Sequence, residues 1–226
     1  MLTPDECRVL GVLIEKAQTT PGQYPLSLNA LVNGCNQKSN REPVMNLNED
    51  QVLRALDGLR MKDLIRELML SGSRVGKYRH VARETLEVTT TELVILAELL
   101  LRGPQSIGDI RGRATRMHPI ESLEVAQNVV NGLMTAGERS MAFVQELPPP
   151  PGSRAKRYAQ LLCPDLHPLD APAAAAESSP AAMPASMPTH ASDDRIAELE
   201  RQVAELQDVV RRMAASLGES DPFATS

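Results

Sequence analysis

Residues able to do chemistry are sparse in this chain, and they do not converge in sequence. The four histidines, His80, His118, His167 and His190, fall in unrelated local contexts. Cys7, Cys35 and Cys163 are odd in number and form no C-x-x-C pair, so neither a disulfide framework nor a structural zinc site is expected. Cys163 and His167 stand four apart, but two ligands do not make a metal site. There is no glycine-rich phosphate loop, no H-E-x-x-H and no nucleophile elbow. Acid pairs such as Glu49–Asp50 suit the first turn of a helix, where they complement the dipole, better than a general acid and base. The expectation is a non-enzymatic protein with no catalytic residue, metal or cofactor.

Two constellations remain that could bind something. The first is the stretch "NGCNQKSNREPVMNLNED", Asn33 to Asp50, with five asparagines and almost no apolar rhythm. Pro43 disfavours helix at Glu42, and Asn46 or Asn48 can cap a helix opening at Glu49. Asn36, Gln37, Lys38, Asn40 and Arg41 are left without a local task. They are candidates for a partner, a ligand or a domain contact, against the alternative of a loop braced by its own side-chain-to-backbone bonds. The second constellation is cationic: Arg74, Lys77 and Arg79; Arg111, Arg113 and Arg116; Arg154, Lys156 and Arg157. These are candidate nucleic-acid contacts, against the alternative of solvated arginines that keep sheet edges unpaired.

The elements that position them come from an internal repeat. "LTPDECRVLGVLIEK" from Leu2 and "VTTTELVILAELLLR" from Val88 both open with a capping box, Thr3/Glu6 and Thr89/Glu92. Leu10, Leu13 and Ile14 match Leu96, Leu99 and Leu100 at an offset of 86, predicting amphipathic helices over Thr3–Lys16 and Thr89–Arg102. Second helices begin at Ser27 and Ser106, offset 79, and third helices align through "LDGL" at Leu56 and "VNGL" at Val130, offset 74. Strand-like runs follow at Leu64–Leu70 and Met141–Leu147. Then "GSRVGKY" from Gly72 and "GSRAKRY" from Gly152 lead into second strands, Tyr78–Ala82 and Tyr158–Leu162.

Three helices and a hairpin, twice, predict a mainly α protein with small β-hairpin wings: two tandem winged-helix domains over 1–85 and 86–163. The drift in offset places an excess of five residues between the second and third helices of the first copy, within the asparagine-rich stretch.

Beyond Pro164 the composition shifts to an Ala/Pro/Ser linker over 164–192, which cannot bury enough surface to order itself. A heptad follows over 193–217, with Ile196, Val203, Val210 and Leu217 at a and Leu199, Leu206 and Met213 at d. That seam predicts a parallel pair, hence a homodimer, against the alternative of one helix packing on its own body. Residues 218–226 read as a disordered tail.

Net charge is +2 over 1–85, zero over 86–163 and −7 over 164–226, together the −5 of the chain. The acidity belongs to the tail, and the folded part lacks the basic excess of a typical nucleic-acid-binding domain. The third helices open on Glu49 and Asp50 or carry Glu121 and Glu124, where acids repel phosphate. Few aromatics argue against single-strand binding by stacking. No run reaches the roughly 18 apolar residues of a membrane span, and the N-terminus has no signal pattern. The expectation is a cytoplasmic protein without membrane contact.

"EKAQTTPGQYPLSLNALVNGCNQKSNREPVMNL" and "LLLRGPQSIGDIRGRATRM" closely resemble the YceH-like family of bacterial proteins. The resemblance covers roughly Leu2 to Cys163, with "CNQKSNREPVMNL" its most specific motif. It implies a tandem winged-helix fold and association as dimers; DNA binding follows only by analogy of fold. Two functions are therefore expected to compete: DNA-associated regulation with wing-led contact to duplex DNA, and a scaffold for an unidentified protein partner.

Overall fold

In a computed structural model of the chain, residues 1–69, 76–137, 141–149, 152–167 and 201 are described. The chain divides into two compact units, Met1–Ala175 and Ala176–Ser226. The predicted heptad seam lies outside the described residues, as does Arg74.

Among the described residues the first unit is α+β, with seven helices and two small antiparallel sheets. The order α1 (Pro4–Thr19), β1 (Leu26–Ser27), α2 (Leu28–Cys35), α3 (Glu49–Met61), β2 (Ile65–Leu68), β3 (Lys77–His80) is followed by the short α4 (Ala82–Thr85). It then repeats as α5 (Thr90–Arg102), β4 (Gln105–Ser106), α6 (Ile107–Ala114), α7 (Leu123–Met134), β5 (Val144–Leu147), β6 (Arg157–Gln160).

Local chemistry sets the helix starts. Thr3 and Thr89 cap α1 and α5 in reciprocal capping boxes with Glu6 and Glu92, as predicted. Asn48 forms a third box with Gln51 at the head of α3, while Ser27, Ser106 and Ser122 accept from the third helical amide of α2, α6 and α7. Each such cap stabilises its helix by about 1 kcal/mol.

The hairpins share one register. Ile65↔His80, Arg66↔Arg79, Glu67↔Tyr78 and Leu68↔Lys77 repeat as Val144↔Gln160, Gln145↔Ala159, Glu146↔Tyr158 and Leu147↔Arg157. The strands are shorter than the sequence predicts. β3 ends at His80 because Val81 leaves the strand conformation at φ −128°, ψ 23° and starts α4, so Ala82 is helical. Each sheet also gains an unpredicted third strand of two residues, giving the orders β1-β3-β2 and β4-β6-β5. The folded body continues past the predicted linker start at Pro164: Leu166 and His167 are buried.

The two copies meet through their first helices. Periodicity predicts one apolar face on each, yet burial is unbroken from Glu6 to Ile14 and from Leu93 to Leu101. A helix covered on every side belongs at the centre of a core, and α1 and α5 pack on each other as well as on their own copies. Gly11 permits the approach: a Cβ there would stand 2.9 Å from Cγ of Leu101.

Candidate functional site

The asparagine-rich segment docks on the second copy. At its centre is Arg41, whose side chain is fully covered. All five of its N–H groups are used. Nε donates to the Gly34 carbonyl (3.1 Å), Nη1 to Glu15 Oε1 (3.1 Å) and the Asn40 carbonyl (2.8 Å), and Nη2 to Glu15 Oε2 (2.6 Å) and Gln37 Oε1 (2.8 Å). The pairing with Glu15 is the bidentate fork that only guanidinium offers. Asn36 braces the other limb, donating to the Leu47 carbonyl (2.8 Å) and accepting from the Leu47 amide (2.7 Å). Arg8, wholly buried on α1, donates to the carbonyls of Cys35 (3.1 Å) and Pro43 (2.6 Å).

Three contacts cross to the second copy. The Glu42 amide donates to the Leu101 carbonyl (2.8 Å), satisfying one of the carbonyls that a helix end leaves free. Arg102 donates to Asn40 Oδ1 (2.5 Å), and His167 donates through Nε2 to the Glu42 carbonyl (2.6 Å). Arg102 also lies 2.9 Å from buried Glu98, an ion pair whose angle does not make it a hydrogen bond. Burial raises the Glu98 carboxyl above its ordinary range, opposed by the charges of Arg102 and Arg113. Of the five loop candidates, Asn36, Gln37, Asn40 and Arg41 are bonded to the protein itself, and Lys38 is exposed. The loop is a contact between copies. Arg8, Glu15, Arg102 and His167 complete it and carried no sequence signal, since nothing local marks them as partners.

The cationic candidates separate. Arg111 donates to the carbonyls of Ile120 (3.2 Å) and Glu121 (2.9 Å), and Arg113 to Gln105 Oε1 (2.7 Å), so both hold α6 in place. Lys156 pairs with Glu146 at 2.9 Å, which raises the amine's pKa at a fully exposed position. Arg157 is half-buried, with Nε covered and unbonded. Lys77 is half-buried on β3, while Arg79, Arg116 and Arg154 are exposed, and none of these three side chains has a hydrogen bond or ion pair among the described residues. Arg66, which periodicity did not single out, is exposed directly opposite Arg79.

The second of the third helices, α7, carries no lysine or arginine to offer phosphate. On α7, Leu123 and Val125 are 50% and 38% exposed beside Glu124, and Gln127 exchanges hydrogen bonds with the Tyr158 hydroxyl. An open cavity of about 480 Å³ lies between Leu2, Lys62, Leu64, Phe143 and Leu162, but its ammonium is held by Glu6 at 2.7 Å. Among the described residues no His/Cys/Asp/Glu group is placed to hold a metal, and no helix is long and apolar enough to cross a membrane.

His80, the last residue of β3, titrates far from the ordinary range: burial holds its pKa down to about 4. The unfolded chain therefore takes up this proton near pH 6.5 and the folded chain only near pH 4. The stability contribution is intact above about pH 6.5 and is lost as pH falls towards 4. Burial lowers His167 in the same sense. Urea titrations across that window are expected to show wild type losing about 2–3 kcal/mol more than His80→Gln.

A family model described as "Protein of unknown function, DUF480" matches residues 2–153. A UPF0502 protein of Geotalea daltonii is 50% identical over 197 residues, covering 87% of this chain and 86% of its own length. The UPF0502 protein GSU0233 of Geobacter sulfurreducens is 47% identical over 208 residues, 91% of this chain and 90% of its own. With more than half the chain under the family model and near-full-length relatives at this identity, the chain belongs to the DUF480/UPF0502 family of bacterial proteins.

Proposed function

We propose that the chain is a non-enzymatic, cytoplasmic, tandem winged-helix protein with a duplex-DNA-associated regulatory role, in which a hairpin rather than a third helix meets the duplex. The helix–strand–helix–helix–hairpin order of each copy and the resemblance to the YceH-like family support the fold name. The observation that carries the functional reading is the placement of charge. Acids head both third helices, α7 bears no lysine or arginine, and Arg66 and Arg79 stand exposed on the first hairpin. Phosphate contacts position a protein on DNA without reading its sequence, so this arrangement suits binding of low sequence specificity. Anisotropy titration of a random duplex against the full chain tests it. Binding that weakens steeply with salt is expected; no binding even at low salt would sink the reading.

The second reading, a protein-interaction scaffold, is favoured by one observation: Leu123 and Val125 are exposed on a helix that repels phosphate. The heptad at 193–217 is proposed to pair two chains. Deleting from Asp193 onward is expected to lower the mass seen by light scattering at dilute concentration, and an unchanged mass would place dimerisation elsewhere.

A further inference from the structure

We propose that Arg66 and Arg79, register partners on the open face of the first hairpin, form a two-guanidinium clamp for backbone phosphate of duplex DNA. The proposal rests on the duplex-DNA reading above and names the site. Arg66 on β2 and Arg79 on β3 are directly opposed, so both project from the sheet face away from buried Ile65. Directly opposed side chains on an antiparallel pair have Cβ atoms about 5 Å apart, and like charges there destabilise the sheet.

The fold does not need this pair. In the second copy the register is the same, but the corresponding residues are Gln145 and Ala159, and Ala159 is only 1% exposed. One hairpin thus pairs an exposed neutral residue with a covered one where its repeat places two exposed cations. Lys77, two residues before Arg79, adds a third cation to the same face. The Arg79 side chain has no hydrogen bond or ion pair among the described residues. Arg66 has a partner, Asp63 at 2.9 Å, but the two side chains are 48% and 71% exposed, and pairs in that setting are weak. A phosphate between the guanidinium groups removes the repulsion and accepts from both planar forks. A local rule broken in one repeat and kept in the other marks a position held for binding rather than folding.

The test is anisotropy of a labelled random duplex with the full chain, at several salt concentrations, beside thermal melts of each variant. Arg66→Gln/Arg79→Gln is expected to bind at least about tenfold more weakly at low salt. Its log–log salt slope should fall by about 1 to 2, with the melting temperature unchanged or raised. Arg154→Gln/Lys156→Gln is expected to keep most of the affinity. If the first double variant binds like wild type while the second loses affinity, the clamp is wrong and DNA binding stands. If wild type binds no duplex at any salt, the functional reading falls and the clamp with it. Lost binding with a lowered melting temperature would overturn the clamp by making the arginines structural.

Discussion

Replacing Arg41 by methionine lowers unfolding stability by about 3–5 kcal/mol, the range for removing one partner of a buried ion pair. The substitution keeps the aliphatic stem but removes five donors. Glu15 loses both guanidinium bonds while its side chain is only 15% exposed, and the Gly34 carbonyl is left unpaired in a buried setting. Arg41→Lys is not conservative here, because an ammonium cannot satisfy the Glu15 fork and three further acceptors in one plane. Urea denaturation is the measurement, with Lys38→Ala as control: this exposed neighbour should change stability by no more than about 0.5 kcal/mol. Domains are stable by only about 5–15 kcal/mol, so the Arg41 variant should sit near the edge of folding. A loss below about 1 kcal/mol would mean that the loop is not the clasp its hydrogen bonds describe.

Gly11→Leu is the second large effect, expected to cost about 2–3 kcal/mol by overpacking. The added Cβ alone would meet Leu101 Cγ and Cδ2 at 2.9 Å and Leu100 Cβ at 3.4 Å, all on the facing α5. Leu100 and Leu101 are each about 1% exposed, so neither side chain has room to turn away. Gly112→Ala on α6 is the matched control. A Cβ at that position would meet nothing within 4 Å, and exchanging an exposed helical glycine for alanine should stabilise by about 0.5–1 kcal/mol. Opposite signs for the two glycines, read from the same denaturation series, would place the joint between the copies at α1 and α5.

What could be read in the sequence was what depends on neighbours in the chain. Thr3/Glu6 and Thr89/Glu92 are three residues apart, so their capping boxes and helix starts were legible. The alignment of "GSRVGKY" with "GSRAKRY" located the second strand of each hairpin to within a residue at its start. β1 and β4 escaped because two residues cannot show a period of two, and α4 because four cannot show a helical face.

The role of the asparagine-rich loop escaped for another reason. Glu15 is 26 residues from Arg41, Arg102 is 62 from Asn40, and His167 is 125 from Glu42. Polarity alone cannot separate such a clasp from a ligand site. Arg111 and Arg113 looked free for the same reason, their acceptors being a turn and a two-residue strand away. Arg66 became visible only through its register with Arg79, a cross-strand relation that composition does not carry.

The division of labour between hairpin and third helix is tested most directly by ultraviolet cross-linking of the full chain to a random duplex, followed by peptide mapping. The account predicts adducts within 64–69 and 76–81 and none on Leu123–Met134. Adducts concentrated on that helix, with the first hairpin unmodified, would contradict it.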